Sequence, residues 1–302
     1  MAADGVLLFG ADGQLGYALQ AELAQLGRVI PLTLAEVDIS DAKALQEVIR
    51  HHAPRYVVNA AAYTAVDKAE QEPDLAHAIN ATAPGIMAAE AKALGATLVH
   101  YSSDYVFNGQ SPRPYKETDA TDPLSVYGRT KRDGDEAVMA QAGSHFIFRS
   151  SWVVGAHGGN FLKTMLRLAQ ERDSLSVVAD QYGVPTSASW MAQTTREVLQ
   201  NPQHAQWSGL YHLSNSGRTT WHGYAQYVLA QAMEMGWQFK IKPEDVKAIA
   251  TADYPLPAAR PANSMLDTRL VQQNLGLKIP TWESGVLEVL FNLRTQGISK
   301  FN

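Results

Sequence analysis

The segment that follows the first apolar run constrains the fold most strongly. Val6-Leu7-Leu8-Phe9 is typical of a buried strand, and it leads directly into Gly10, Gly13 and Gly16. An apolar pattern at helical spacing then begins at Leu15. A glycine-rich turn between a strand and a helix permits a tight bend and lets a pyrophosphate approach the helix N-terminus. The order therefore predicts a dinucleotide site at the start of a β-α-β unit.

Strand-like and helix-like segments continue to alternate through the first half of the chain. Further strands are predicted at residues 29–32, 56–60, 97–102 and 145–149, and a helix at residues 41–52. Strands that alternate with helices form parallel β-α-β units. We therefore predict an α/β fold, a Rossmann-type doubly wound parallel sheet, in residues 1–150.

The second half of the chain has a different character. Strand candidates are fewer there, at residues 176–178 and 210–213, and irregular loops separate amphipathic helices. We expect residues 151–302 to form a smaller, irregular C-terminal substrate-binding lobe, with some segments returning to the first domain. Ligands of such folds bind in the cleft at the carboxyl ends of the strands.

Composition argues against several classes of function. The formal net charge of −5 is unfavourable for a nucleic-acid binder, because such proteins neutralise phosphates. There is no cysteine, which excludes thiolate catalysis and cysteine-bound zinc, and the histidines lack metal-ligand spacing. No apolar run is long enough for a membrane helix, and no basic region precedes the first one. We expect a cytoplasmic protein without a metal and without membrane or nucleic-acid partners.

The end of the second strand bears on the choice of coenzyme. An acidic side chain there binds the ribose 2′-hydroxyl of NAD, and a basic one binds the 2′-phosphate of NADP. The sequence has the neutral Thr33 at this point, with Arg28 before the strand, so both NADPH and NADH remain open. Asp38 and Ile39, at the end of a further short strand, are candidate adenine contacts, with a helix cap as the alternative.

Tyr127 and Lys131 stand four residues apart and share one face if they lie on a helix. A free phenol titrates near pH 10, and a nearby ammonium favours the phenolate, so the pair can serve in proton transfer. The alternative is an amphipathic helix start with an exposed lysine. The strand that ends at Ser102 and Ser103 faces the same cleft, and we predict Ser103 as the hydrogen-bond donor to a keto oxygen because side chains alternate along a strand.

Longer strings of sequence narrow the interpretation. These are Asn59–Glu70, His100–Phe107, Arg149–Val153, Asp180–Thr186 and Arg260–Asp267. With the glycine loop and the Tyr127/Lys131 pair, they resemble the dTDP-4-dehydrorhamnose reductase family of the extended short-chain dehydrogenases/reductases. The resemblance extends from the first strand to Trp282-Glu283, which is nearly the whole chain.

This resemblance implies reduction of dTDP-4-dehydro-6-deoxy-L-mannose to dTDP-L-rhamnose with NADPH or NADH. Tyr127 would donate the proton, Lys131 would lower the pKa of Tyr127 and hold the nicotinamide ribose, and Ser103 would replace a frequent threonine. The other implied cofactor contacts are Gly10, Gly13, Gln14, Leu15, Gly16, Asp38, Ile39, Ala61, Ala62, Tyr63 and Thr64. Besides Ser103, the implied substrate contacts are Asp104, Val66, Asp67, Trp152 and Arg260.

The resemblance also bears on assembly. Some members of the family form a dimer around Mg²⁺ held by glutamates from each subunit. Two of the corresponding positions here are Ala18 and Ser189, and only Glu283 keeps a carboxylate. Because Mg²⁺ requires oxygen ligands, usually carboxylates and water, we expect no metal at an intersubunit site. A monomer or a metal-independent homodimer is expected.

Two other functions remain open from the sequence. The first is another nucleotide-sugar 4-ketoreductase or an epimerase, because the Tyr/Lys chemistry is common to the superfamily. The second is a non-catalytic cofactor-binding protein, since the regulatory subunit of methionine adenosyltransferase resembles this reductase family. The complete set of Ser103, Tyr127 and Lys131 favours an enzyme.

Overall fold

The structure is a computed structural model that describes residues 5–141 and 143–298. Its strands are β1 (Val6–Phe9), β2 (Val29–Leu32), β3 (Tyr56–Asn59), β4 (Thr97–Ser103), β5 (His145–Ser150), β6 (Val153–Val154), β7 (Ser176–Val178), β8 (Tyr182–Gly183), β9 (Thr186–Ser187), β10 (Gly209–His212), β11 (Thr219–Thr220) and β12 (Lys247–Ile249). Its α-helices are α1 (Gln14–Leu23), α2 (Ala42–His52), α3 (Val66–Ala69), α4 (Pro73–His77), α5 (Ala83–Leu94), α6 (Val126–Ala140), α7 (Phe161–Glu171), α8 (Ala188–Gln200), α9 (Trp221–Glu234), α10 (Arg269–Leu275) and α11 (Trp282–Thr295). A turn of π-helix, Ala78–Thr82, joins α4 to α5.

The main sheet contains six parallel strands in the order β10-β5-β4-β3-β1-β2, so the predicted α/β fold is confirmed. Strand β1 lies between β2 and β3. The connection from β1 leads to β2 on one side, and the next connection returns the chain to β3 on the other side, so the strand order reverses at β1. Ligands of such sheets bind at this switch point. Phe9 is in register with Leu32 on one side and with Asn59 on the other. Strands β1, β2 and β3 thus end level with one another, while β4 continues to Ser103.

The central strands are buried on both faces because helices cover both faces. Along β1, Val6 and Leu8 belong to the apolar cluster that includes residues of α1 and α8. Leu7 and Phe9 belong to the opposite cluster, with residues of α2 and α5, and Val138 adds α6 to this second face. A strand covered on both faces requires a continuous apolar run, which explains the sequence pattern of β1.

The second half of the chain builds its own apolar cluster and also returns to the main sheet. Helices α7, α9 and α11 contribute Leu166, Leu229 and Leu290 to this cluster. The strand predicted at residues 176–178 is β7, which pairs with β12 outside the main sheet. The strand predicted at residues 210–213 corresponds to β10, which pairs with β5. Within the described part of the chain, no helix has both the length and the apolar character needed to cross a membrane.

The short strand predicted to end at Asp38 and Ile39 is wrong. Residues 33–41 form turns, in which the Asp38 carboxylate accepts hydrogen bonds from the backbone N–H and the hydroxyl of Ser40, at 2.9 and 2.7 Å. The alternative role as a helix cap also fails, because Asp41 caps α2. Aspartate satisfies nearby backbone groups in such turns, so this segment needs no neighbouring strand.

Candidate active site

The glycine loop between β1 and α1 is shaped by two close backbone contacts. Gly10 has a φ of 72°, and a Cβ there would lie 2.6 Å from the backbone nitrogen of Ala61. At Gly16 a Cβ would lie 1.9 Å from the carbonyl oxygen of Gly10. At Gly13, in contrast, a Cβ would meet only that oxygen, at 3.4 Å. Two glycines are therefore required for packing, and the third keeps the N-terminus of α1 open to an anionic ligand.

A cavity of about 590 Å³ begins at this loop and crosses the carboxyl ends of the strands; we refer to it as the cofactor cavity. It is lined by eleven of the predicted cofactor residues, namely Gly10, Gly13, Gln14, Leu15, Asp38, Ile39, Ala61, Ala62, Thr64, Tyr127 and Lys131. The lining residues that were not predicted as cofactor contacts are Phe9, Asp12, Leu32, Thr33, Leu34, Val37, Ala60, Ile79, Tyr101, Ser102, Ser150, Val153, Gly158 and Gly159. Several of these residues end a predicted strand or directly follow one. Their position at a strand end was the sequence signal that could have identified them as lining residues.

Two of the predicted cofactor residues do not line the cofactor cavity. Gly16 packs against the backbone of Gly10 behind the loop. Tyr63 donates its hydroxyl hydrogen to the Glu72 carboxylate, and its backbone N–H donates to the Asn80 side chain at 2.8 Å. The side chain of Tyr63 is thus already engaged within its own domain, and the cavity wall there is formed by its neighbours.

Gln14 connects the glycine loop to the second half of the chain. Its side-chain oxygen accepts hydrogen bonds from the backbone N–H of Gly155 at 3.0 Å and from the Asn160 amide at 2.9 Å. These bonds bring the turn that contains Gly158 and Gly159 to the edge of the cofactor cavity. The second half of the chain therefore contributes directly to the nucleotide site.

An acidic side chain lies beside the neutral Thr33 at the end of β2, in addition to the residues predicted there from the sequence. Glu36 turns back so that its carboxylate accepts hydrogen bonds from the Thr33 backbone N–H, at 2.7 Å, and from the Thr33 hydroxyl. These hydrogen bonds lower the pKa of Glu36, which is therefore ionised at neutral pH. The Thr-x-x-Glu spacing of a capping box was the sequence signal for this arrangement.

Tyr127 lies in the first turn of α6, as the sequence predicted. The helix begins there because the Ser125 hydroxyl accepts a hydrogen bond from the Gly128 N–H at 3.1 Å. Burial raises the pKa of Tyr127 to about 12, and a hydrogen bond with Ser103 lowers it in part. This net shift is opposite to the lowering by Lys131 that the resemblance implies, because loss of solvent outweighs the other effects. The phenol is consequently protonated at neutral pH.

Lys131 follows Tyr127 by one helical turn, and its side chain is almost fully buried. Its ammonium donates a hydrogen bond to the carbonyl oxygen of Tyr101 at 2.7 Å and lies 3.4 Å from Nε2 of His100. Burial lowers the pKa of Lys131 to about 8, while the negative charge of Asp135 opposes this shift. The lysine is thus fixed at the cofactor cavity, and its ammonium form predominates at neutral pH.

The end of β4 brings two serines to the site instead of one. Ser102 lines the cofactor cavity, whereas Ser103 forms a hydrogen bond with Tyr127. The Ser103 hydroxyl also donates to Oδ1 of Asp104 at 3.1 Å. Burial raises the pKa of Asp104 to about 7, although hydrogen bonds with Ser264 and Ser103 lower it in part. Asp104 can therefore carry a proton close to neutral pH.

Two of the predicted substrate residues are brought together by an ion pair. Arg260 donates through Nη1 and Nη2 to Oδ1 and Oδ2 of Asp67, both at 2.6 Å. A hydrogen bond also links Arg260 to Tyr105, which lies directly after Asp104. Val66, the first residue of α3, precedes Asp67. None of these residues lines the cofactor cavity, and the contact of Arg260 with Tyr105 brings the ion pair close to the end of β4.

Trp152 has an unusual backbone conformation for a large side chain, with a φ of 47°. Its ring stacks on that of Trp221, with ring centres 3.6 Å apart. Gly183 lies against the same ring, since a Cβ at this position would be 2.5 Å from it. Residues held at positive φ are frequently found at functional sites, where the surrounding packing enforces them. Trp152 lies two residues after the end of β5, at the same edge of the sheet as Ser103.

Two of the three positions that the sequence resemblance compares with a magnesium site lie at a different cavity. A cavity of about 360 Å³ is lined by Ala18 and Ser189, among others. The Ser189 hydroxyl donates to the carboxylate of Glu288 at 2.6 Å, and Glu283 lies in the first turn of α11. In residues 5–141 and 143–298, no group of three or more histidine, aspartate or glutamate side chains is arranged to hold a metal ion.

Comparison with known proteins gives a consistent result. The family described as RmlD substrate binding domain matches residues 4–295. A dTDP-4-dehydrorhamnose reductase of Salmonella typhimurium is 47% identical over 298 residues, which cover 96% of this chain and 98% of the relative. The chain belongs to the dTDP-4-dehydrorhamnose reductase family. The family resemblance inferred from the sequence is thereby confirmed.

Solved structures of dTDP-4-dehydrorhamnose reductases share this fold over nearly their full length. The reductase from Clostridium acetobutylicum is 34% identical, with a TM-score of 0.89 over 96% of this chain and 99% of that one. The reductase from Bacillus anthracis, solved in complex with NADP, is 35% identical, with a TM-score of 0.87 and the same coverage. The predicted use of a nicotinamide coenzyme agrees with that complex.

Proposed function

We propose that this chain reduces the 4-keto group of dTDP-4-dehydro-6-deoxy-L-mannose to give dTDP-L-rhamnose, with NADPH or NADH as the coenzyme. The observation that carries the proposal is that Tyr127 and Lys131 line the cofactor cavity while Ser103 contacts Tyr127, in a member of this reductase family. These three side chains are the groups that a carbonyl reduction requires for binding the oxygen and supplying the proton.

The residues of the cofactor cavity fit a dinucleotide. The open N-terminus of α1 beside Gly13 would bind the pyrophosphate, because the first turn of a helix offers N–H groups without partners inside the helix. The turn at Asp38 and Ile39 would contact the adenine. Ala61, Ala62 and Thr64 would line the path toward the nicotinamide, and Lys131 would bind its ribose. A bound NAD(P)H supplies the hydride for the keto carbon.

The remaining chemistry belongs to the protein. Tyr127 transfers the proton on its hydroxyl to the keto oxygen as the carbon is reduced, and it regains a proton from solvent after the product leaves. Because burial keeps the phenol protonated, this acid is ready at neutral pH. Ser103 donates a hydrogen bond to the same oxygen, and its existing contact with Tyr127 keeps both donors within reach of one acceptor.

The substrate would lie between the end of β4 and the second half of the chain. Ser103, Asp104 and Trp152 would contact the sugar, with Val66 and Asp67 nearby. Arg260 would contact the diphosphate, although in this structure its guanidinium is already paired with Asp67. We retain the division into a nucleotide-binding domain of residues 1–150 and a mainly substrate-binding lobe of residues 151–302 as part of this proposal. A cytoplasmic location is also part of it.

Product analysis tests the proposal directly. The protein is incubated with the dTDP-4-keto-6-deoxy sugar and NADPH, and the product is identified by NMR. We expect dTDP-L-rhamnose, with one NADPH consumed per sugar. A product of different configuration, or conversion without net consumption of coenzyme, would indicate another 4-ketoreductase or an epimerase. Binding of coenzyme with no turnover of any keto sugar would instead indicate a regulatory protein.

A further inference from the structure

Lys131 is a buried cation with few groups that favour its charge. Its firm hydrogen bond is to the carbonyl oxygen of Tyr101, which is neutral. His100 lies 3.4 Å away, but Nδ1 of that ring faces the Asn59 amide at 3.1 Å. The Asn59 oxygen accepts from the Ala61 N–H, so its NH₂ group faces the histidine and Nδ1 acts as the acceptor. The proton of the neutral ring then lies on Nε2, which leaves no acceptor there for the lysine.

Burial also keeps His100 uncharged, since it lowers the pKa of the ring well below its ordinary value. The histidine therefore cannot add a positive charge beside Lys131, and it offers no negative charge either. Removing an ammonium group from water is costly unless an opposite charge compensates. The opposite charge comes from Asp135, which follows Lys131 by four residues on α6, so that the two side chains share one face of the helix, and both side chains are buried.

Asp135 lies one helical turn beyond Lys131 on α6 and is completely buried. Arg149, on β5, donates from Nε to Oδ2 of Asp135 at 2.8 Å. The Ser102 hydroxyl on β4 also interacts with the Asp135 carboxylate and lowers its pKa, and neither this hydroxyl nor Oδ1 of Asp135 has a further partner among the described residues. Ser102 is in register with Arg149 and lines the cofactor cavity. The carboxylate thus lies at the back of the reductase site.

We propose that Asp135, clamped by Arg149, is a positioning residue that keeps Lys131 in its ammonium form beside the cofactor cavity. The inference rests on the proposed reductase function, because it assigns the charge that the reaction requires of Lys131. Burial raises the pKa of Asp135, while the charge of Arg149 lowers it, so the clamp preserves the carboxylate. The remaining titratable group on the same face of α6 is Tyr127, which stays neutral.

The test compares two substitutions that separate charge from shape. Asp135→Asn keeps the size of the side chain and can still accept the hydrogen bond from Arg149, but it removes the charge. Asp135→Glu keeps the charge and adds one methylene. The readout is the titration of Lys131 in the full-length protein without ligand, followed by NMR of ¹³Cε-labelled lysine, with the resonance assigned by Lys131→Arg.

We expect the titration midpoint of Lys131 in Asp135→Asn to fall by about one pH unit or more, as for the loss of a nearby opposite charge. In Asp135→Glu the midpoint stays near that of the wild type. If Asp135 has only a structural role, the midpoint should instead shift more in Asp135→Glu than in Asp135→Asn, because asparagine matches the shape of aspartate better than glutamate does. An unchanged midpoint in Asp135→Asn overturns the proposal.

Asp133→Asn serves as the matched control. Asp133 lies on the same helix but pairs with Arg132 and lies near His77, away from Lys131. The midpoint should not move in this variant, and an equal fall there would overturn the proposal by showing a general effect of helix charge. If Asp135→Asn does not fold, the double variant Asp135→Asn/Arg149→Gln removes the arginine charge as well, and a fall smaller than that of the single variant is expected, because a positive charge is lost together with the negative one.

NADPH binding gives a second readout that does not depend on the sugar. The dissociation constant, measured by fluorescence against pH, should begin to rise at a lower pH in Asp135→Asn than in the wild type. Wild-type protein that titrates as expected and binds NADPH but reduces no keto sugar would overturn the proposed function and leave this inference standing. If the wild type reduces the sugar, but the dissociation constant for NADPH depends on pH in the same way in the wild type and in Asp135→Asn, only the inference about Asp135 is overturned.

Discussion

The ammonium of Lys131 donates a hydrogen bond to the carbonyl oxygen of Tyr101 across 2.7 Å, which ties helix α6 to the end of strand β4. Tyr127 and Ser103 stand on these same two elements, so the bond also fixes their relative position. Burial has replaced the hydration of this ammonium by a hydrogen bond to one carbonyl group. Its pKa is therefore lowered to about 8, and its charge changes within the range of pH that can be tested.

The first prediction concerns that sensitivity. The pKa of Lys131 is about 8, so the ammonium predominates below pH 8 and is lost as the pH rises through it. NADPH affinity and kcat/KM for the sugar should fall together above about pH 8. The pKa of Tyr127 is about 12, so the phenol is not responsible for this limb. Values of kcat/KM that do not change between pH 6 and pH 10 would contradict the assignment of this pH dependence to Lys131.

The second prediction concerns the proton donor. Tyr127→Phe removes the hydroxyl and keeps the ring, so turnover should fall by about two to four decades, as is typical for loss of a general acid. The Kd for NADPH should change little. Steady-state kinetics and fluorescence titration measure the two effects separately. Near-normal turnover in the variant would show that another group donates the proton.

The glycine loop offers a matched pair of substitutions. In Gly13→Ala the added methyl meets only one oxygen, at 3.4 Å, so the fold should persist while the Kd for both coenzymes rises. In Gly16→Ala the methyl would lie 1.9 Å from the Gly10 oxygen, and forced repacking of this kind costs about 1–3 kcal/mol of stability. Thermal unfolding with and without NADPH distinguishes the two. Equal Tm values and equal affinities in both variants would refute this division of roles.

Coenzyme choice leads to a prediction about Glu36. Thr33 is neutral, and both NADH and NADPH should therefore support reduction, but the Glu36 carboxylate beside Thr33 places a negative charge near the expected 2′-phosphate. Glu36→Gln should raise kcat/KM for NADPH relative to NADH by roughly fivefold, which corresponds to about 1 kcal/mol for two nearby charges in water. Glu36→Asp, which keeps the charge and leaves Thr33 in place, is the control. An unchanged ratio in Glu36→Gln would place the ribose elsewhere.

Assembly leads to a prediction about metals. Ala18 and Ser189 offer no carboxylate at two of the three positions that the sequence resemblance compares with a magnesium site, so reduction should continue at the same rate after treatment with EDTA. Light scattering should give one molecular mass with and without the chelator. A dimer that dissociates when EDTA is added, and reforms with Mg²⁺, would contradict the prediction.

The local parts of the site could be read from the sequence because they depend on neighbours along the chain. The strand, the glycines and the helix from Val6 to Leu23 follow from short-range patterns, and so does the helical turn that places Tyr127 and Lys131 on one face. The turn at Asp38 and the strand predicted there share one sequence pattern, because a short run with few apolar residues is compatible with both. The position of Glu36 is also local, since it follows from the Thr-x-x-Glu capping pattern.

Contacts between distant segments were decided by the tertiary structure alone. Asp67 and Arg260, 193 residues apart, form their ion pair because the loop before α10 packs beside α3. Strand β10 joins the main sheet because β5 offers it a free edge. The charge balance at Lys131 likewise depends on Arg149, which reaches Asp135 from another strand. Sequence determines which groups are present and their local conformation, whereas burial and long-range packing determine which charges act on one another.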